Sequence, residues 1–186
     1  MTCATWQAMR ANHPLLWLVV VAVIAAIAYG SGKFEDPPPS RTPSDQTGPA
    51  ISGRARIIDG DSLEVAGARI RLFGIDAPEA HQQCRDARGL DYPCGREATR
   101  ALAALAGARV TCTLVTHDRY ERDVATCTAN GRDLGDAMVR AGHAVDYARH
   151  SGGRYAEAER EARAAKRGIW AGTFEEPEAW RRREMR

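Results

Sequence analysis

Three short β-like runs follow one another closely in the first half of the chain, and their order constrains the fold more than any other feature. They occupy residues 56–58, 62–65 and 69–75, separated by Asp59-Gly60-Asp61 and Ala66-Gly67-Ala68, both of turn composition. A helical pattern comes next. Ala98, Ala101, Leu102 and Leu105 recur at helical spacing after Pro93, and Gly107 supplies the C-terminal stop. Residues 110–116 and 123–129 read as two further strands. Asp133 caps a second helix through Leu134, Ala137, Met138 and Ala141, which ends at Gly142. A third helix covers about residues 154–167 and stops at Gly168, with Glu159 and Arg163 forming an i,i+4 pair.

Three strands, a helix, two strands and two helices fit a small closed Greek-key barrel. The fold class is α+β, mainly β: a five-stranded OB-fold barrel with three helices. Residues 51–172 form the domain, about 120 residues, enough for one core that buries roughly two thirds of the extended-chain surface. No internal repeat is present.

The segments before and after the domain are of another kind. Between Arg10 and Lys33 there is no charged residue, and residues 15–29 are unbroken apolar. Fifteen helical residues reach about 22 Å against about 30 Å of hydrocarbon, so a span needs Pro14 and Gly30 to Gly32 as well. Residues 1–32 are thus an uncleaved membrane anchor, engaging the bilayer through residues 14–32, or a signal segment cleaved after the small-x-small sequence Ala26-Ile27-Ala28. Either reading carries the remainder out of the cytoplasm, to the periplasm or cell surface. Residues 33–50 are a proline-rich linker, unable to offset its own ordering entropy. Residues 173–186 form a C-terminal tail, and an arginine-rich run such as Trp180-Arg181-Arg182-Arg183 is ordinarily solvated.

Lys plus Arg is 26 and Asp plus Glu is 24, so bulk charge gives no argument for nucleic-acid binding. The exported part carries an even set of cysteines: Cys84, Cys94, Cys112 and Cys127. Cys112 and Cys127 are equidistant from the centre of the hairpin loop between their strands and are therefore cross-strand neighbours. Cys84 and Cys94 bracket one loop and would staple it. Two disulfides, 84–94 and 112–127, suit an exported domain. No Cys-x-x-Cys or paired-histidine spacing argues for a metal held by sulfur or imidazole, and His81, His117, His143 and His150 are scattered.

The acidic residues carry the chemistry. Asp59 and Asp61 lie two apart, flanked by apolar strand; Arg71 opens the next apolar run, Asp76 closes it, and Glu79 follows Pro78. Taken singly, Asp-Gly-Asp is also what a solvated turn looks like. Carboxylates gathered at strand ends repel one another unless a cation joins them, and hard oxygen ligands suit Ca²⁺. A guanidinium beside them suits bidentate phosphate binding.

Together, Asp59-Gly60-Asp61-Ser62, the Arg71 to Glu79 pattern R-x-x-x-x-D-x-P-E, and Asp118-Arg119-Tyr120-Glu121-Arg122 resemble the staphylococcal-nuclease-like (thermonuclease) family, whose domain is an OB-fold. The resemblance runs from Arg54 to Trp170 through Asn130-Gly131, Asp133-Leu134, Met138 to Gly142 and Gly168-Ile169-Trp170. It implies a Ca²⁺-dependent endonuclease acting on DNA and/or RNA with little sequence specificity. It places Asp61, Asp76 and the carbonyl of Ala77 on the metal, with Asp59 close behind. It makes Glu79 the residue that handles the attacking water, and Arg71 and Arg122 the phosphate grip. Arg119, Tyr120, Tyr147 and Tyr155 become candidates for contact with nucleic acid, the last two by a poor match of spacing. Glu121 stands where the family carries Gly, and it would strain the loop if that position needs a positive φ. A phosphate clamp on an OB surface tracks backbone and stacks exposed bases, so single-stranded or breathing duplexes are the expected substrates of a monomer. The alternative is a non-catalytic OB-fold nucleic-acid-binding module tethered to the membrane.

Overall fold

The computed structural model describes residues 48–186, so the anchor or signal segment and residues 33–47 of the linker lie outside the described residues. Among the described residues no helix is long and apolar enough to cross a membrane.

β1 (Ala50–Gly53) and β2 (Ala55–Ile57) are one length of chain interrupted only at Arg54. β3 (Ser62–Val65) and β4 (Ala68–Leu72) follow, and after a helix come β8 (Val110–His117) and β9 (Asp123–Ala129). The sheet order is β1-β8-β9-β4-β3-β2, with the short β10 (Arg132–Asp133) added to β9. Because β1 runs directly into β2, both ends of this order belong to the same strand, and the sheet curls into a five-stranded barrel. Every pairing in the order is antiparallel except β4 with β9, which is parallel. That mixed topology is the OB-like fold expected from the element order.

Alternation sets what the barrel buries. In β4, Ile70 and Leu72 point inward at 1% and 2% exposure, which turns Arg69 and Arg71 to the other face. Leu63, Val65, Val110, Cys112, Ala125 and Cys127 complete the interior from the other strands. Helix α1 (Cys94–Ala106) covers one end, burying Ala98, Leu102 and Ala106 at i, i+4 and i+8. Helix α2 (Leu134–Arg140) starts under the Asp133 cap, whose carboxylate accepts the Gly135 and Asp136 amides, and adds Leu134, Met138 and Val139 to the core.

One expected element is divided and another is shorter. The 69–75 strand stops at Leu72, because Gly74 takes φ +72° and turns the chain away. Ile75 and Asp76 (β5) pair instead with Val145 and Asp146 (β11). The single helix expected over about residues 154–167 is α4 (Ala156–Ala164) alone, preceded by the short α3 (Ala148–Ser151) and left-handed glycines at 152 and 153.

Both cystines form as their positions predict. Cys112 faces Cys127 across β8 and β9, with Cα atoms 4.0 Å apart. Cys84 of β6 (Cys84–Arg85) is joined to Cys94 at the start of α1, beside the β7 strand (Asp91–Tyr92) that pairs with β6. This cystine sits with Val145 and Ile169 in a second, smaller apolar cluster flanked by Tyr92, Trp170 and Phe174.

The reading of residues 173–186 as a solvated tail is corrected. Thr173 bridges to Arg85, and helix α5 (Pro177–Glu184) returns to the barrel. The physical reason is charge: its arginines find carboxylates on the domain, contacts that no local periodicity reveals.

Candidate active site

The cluster begins with a close backbone approach. A Cβ at Gly60 would lie 2.7 Å from Ala77 Cβ and 2.8 Å from Ala98 Cβ, so only glycine lets the 59–61 turn press against the 76–79 loop and α1. Asp59 Oδ1 accepts the Asp61 amide at 3.0 Å and closes that turn. Asp61 then reaches across: its Oδ2 accepts the Ala77 amide at 2.9 Å, and its Oδ1 accepts the Ser62 hydroxyl at 3.1 Å.

Arg71, on the outer face of β4, ties the two stretches together. Its Nη1 donates to Asp61 Oδ1 and its Nη2 to Asp76 Oδ1, each at 2.7 Å. Asp61 and Asp76 are buried, at 3% and 1% exposure. Glu79 stands one turn further on, its amide held by the side chain of Gln82, a fully buried residue.

A residue the sequence did not single out completes the cluster. Arg181 of α5 donates from Nη1 to Asp76 Oδ1 at 2.8 Å and to Glu79 Oε1 at 2.7 Å, and from Nη2 to Asp76 Oδ2 at 2.9 Å. Gln82 helps to seat the same segment, since its Nε2 donates to the Glu175 carbonyl at 2.6 Å. No sequence signal marks Gln82. For Arg181 the one cue is the arginine run itself.

The electrostatics favour an added cation. Burial pushes the Asp61 carboxyl above the usual carboxylate range; Arg71 opposes this and Asp59 adds to it. Burial likewise raises Asp76, against its bonds from Arg181 and with the repulsion of Asp61. Four acids, Asp59, Asp61, Asp76 and Glu79, gather around two guanidiniums, so negative charge is in excess. Among the described residues no three His, Cys, Asp or Glu side chains are arranged to hold a metal by themselves. Two aspartates form a partial set of hard donors. That fits a cation of six to eight oxygen ligands completed by a carbonyl, water and a phosphate, and does not fit one needing a closed protein cage.

Arg122 is not brought into contact with this cluster. Its Nε donates to Asp118 Oδ2 at 2.7 Å, within a turn where Asp118 Oδ1 also accepts the Tyr120 and Arg122 amides. It lies one residue before Asp123, which pairs with Ile70 beside Arg71. Glu121 takes φ +57°, so the position does use the left-handed region that favours glycine. Tyr120 is 63% exposed, with the guanidiniums of Arg119 and Arg122 over its ring at 4.9 and 5.6 Å. Tyr147 is half-buried against His150, and its hydroxyl accepts from Arg149.

Tyr155 is a correction. At 2% exposure its ring belongs to the core, and its hydroxyl bonds to the Asp133 carboxylate, so it offers no face to a base. Its spacing to Ala158 and Ala162 already marks the buried stripe of a helix.

The sequence profile described as Staphylococcal nuclease homologue matches residues 69–172, a stretch holding Arg71, Asp76, Ala77, Glu79 and Arg122 but beginning after Asp59 and Asp61. The chain is 45% identical over 123 residues to the succinoglycan biosynthesis protein ExoI of Rhizobium meliloti (strain 1021), an overlap covering 64% of each chain. It is 38% identical over 143 residues to an uncharacterized endonuclease of Escherichia coli, covering 72% of this chain and 87% of the relative. It is also 38% identical over 117 residues to the probable staphylococcal-like nuclease CAN3 of Oryza sativa subsp. japonica, covering 61% of this chain and 28% of that one.

Proposed function

The chain belongs to the staphylococcal nuclease homologue family, and from that premise we propose that it is an exported, metal-dependent endonuclease cleaving phosphodiester bonds of DNA and/or RNA with little sequence specificity. The observation that carries this reading is the bridge of Arg71 between Asp61 and Asp76, with Glu79 in the same cluster.

Asp61, Asp76 and the Ala77 carbonyl would hold a divalent cation, Ca²⁺ by the hardness of the donors, with Asp59 behind them. Such an ion supplies Lewis-acid stabilisation of the charge that builds on the phosphate oxygens. Arg71 binds two phosphate oxygens with its planar fork and orients the phosphorus for attack. Arg122 adds a second guanidinium after turning from Asp118. The Glu79 carboxylate accepts a proton from the attacking water as its oxygen bonds to phosphorus. One P–O bond breaks, and the departing oxygen takes up a proton from solvent. Arg119, Tyr120 and Tyr147 lie outside the acidic cluster and would track and stack the strand, favouring single-stranded or breathing substrates. Export, by anchor or cleaved signal, agrees with the two cystines, which persist in oxidising compartments. A monomer suffices for this site.

The test is cleavage of plasmid and of single-stranded DNA by the purified protein, with Ca²⁺ and with excess EDTA. Cleavage that EDTA abolishes and Ca²⁺ restores is expected. Activity persisting in EDTA ends the metal reading, and the nuclease reading ends if single-stranded RNA, tested alongside, is left as intact as both DNA substrates under every condition.

A further inference from the structure

Helix α5 lies beyond the residues that match the family, yet it supplies three of the bonds to the candidate site. Arg181 occupies both oxygens of Asp76, one of which also serves Arg71, and it takes Glu79 Oε1 with the same Nη1. One guanidinium nitrogen thus joins two acidic side chains, as a small cation would.

The way α5 is fastened matters as much as where it points. Pro177 is its one buried residue. Ion pairs and polar contacts add to it: Arg149 of α3 pairs with Glu178, and Gln82 holds the Glu175 carbonyl just before the helix. A helix held this way sits at the low-stability end of a fold and is weakened by salt. A divalent cation competing for Asp76 would meet a docked, positively charged helix, and the two charges repel at that distance.

We infer that α5 is a tethered counter-ion, with Arg181 filling the carboxylate oxygens that the divalent cation needs, so that docking of the tail and binding of the metal exclude each other. This inference rests on the reading of Asp61 and Asp76 as metal ligands. The cation must displace Arg181 to bind, and the released helix frees Glu79 for the water. Apparent metal affinity is then the intrinsic affinity multiplied by the fraction of molecules with the tail undocked. A tail docked nine-tenths of the time weakens it about tenfold.

The experiment is calorimetric titration of Ca²⁺ into the whole protein, wild type, Arg181→Gln and Glu178→Gln, with hydrogen exchange of residues 177–184 read with and without the ion. Arg181→Gln is expected to tighten Ca²⁺ binding about tenfold. Glu178→Gln, which loosens the helix without touching the acidic cluster, is expected to tighten it by a smaller factor. Amides of α5 in the wild type are expected to exchange faster with Ca²⁺ present. Equal or weaker binding in Arg181→Gln, or α5 amides still protected at saturating Ca²⁺, overturns the inference and marks Arg181 as a positioning residue for Glu79. That result leaves the metal reading standing. Absence of Ca²⁺ binding in all three proteins at about millimolar concentration removes the metal reading itself, and the competition with it.

Discussion

Arg71→Lys separates charge from geometry at the centre of the site. The Arg71 side chain is 17% exposed and makes two charge-assisted bonds of 2.7 Å, one to each buried aspartate. A lysine keeps the positive charge but concentrates it at one nitrogen, on a stem that does not reproduce the two-pronged reach. It can serve Asp61 or Asp76 well, and the other loses a partner while remaining buried. A hydrogen bond to a charged group is worth about 1.5–3 kcal/mol, so the metal-free protein should lose about 2 kcal/mol of stability. The lost fork is also the proposed phosphate grip, and removing one such electrostatic contact costs on the order of 10²–10³ in rate. Urea titration in EDTA measures the first effect, and initial rates on single-stranded DNA with Ca²⁺ measure the second. A variant with wild-type stability would show that the bridge between the aspartates is not holding the cluster. A stable variant with wild-type rates would refute the role of the planar fork altogether.

Three further outcomes are expected. Glu121→Gly removes an L residue from φ +57° and should stabilise the protein by about 1 kcal/mol in urea titrations; a loss of stability would mean that the glutamate makes compensating contacts. Replacing Cys112 and Cys127 together by alanine opens a link between positions 15 apart and should cost about 3 kcal/mol by thermal or denaturant unfolding; a cost near zero would contradict the cross-strand cystine. Burial pushes the His143 imidazole below its usual value, with Glu97 opposing. The unfolded chain therefore binds more protons below about pH 6.5, and stability present above that pH is lost as pH falls toward the folded-state value. The wild type should lose more stability than His143→Gln between pH 7 and pH 5, and parallel curves would sink the assignment.

What could be read in the sequence follows the range of the interactions involved. The barrel strands were legible because alternation is local and turns such as Asp59-Gly60-Asp61 punctuate it. The 112–127 cystine was legible because a hairpin maps sequence symmetry onto space. The gathering of Asp61, Arg71, Asp76 and Glu79 was legible as a motif, and the contact between Gly60 and Ala77 supplies its physical cause. The aim of Arg122 was not, since Asp118 in its own turn competes for it at 2.7 Å. The break at Gly74 was hidden inside an apolar run that a strand would also produce. Arg181 reaches Asp76 across 105 positions through ionic contacts from a helix in which Glu178, Arg181, Arg182, Arg183 and Glu184 are charged, where hydrophobic periodicity carries little information. Tyr155 was misplaced because a stacking role was carried over from the family on a poor match of spacing, whereas its spacing to Ala158 fits the core.

The central claim is that separate stretches of this chain present their carboxylates to one divalent cation. Anomalous scattering from crystals of the protein grown with Ca²⁺ tests it most directly. The account predicts a single peak about 2.3–2.6 Å from carboxylate oxygens of both Asp61 and Asp76, with the guanidinium of Arg181 withdrawn from Asp76. A peak bound elsewhere, or none while Arg181 stays on Asp76 at saturating Ca²⁺, would contradict it.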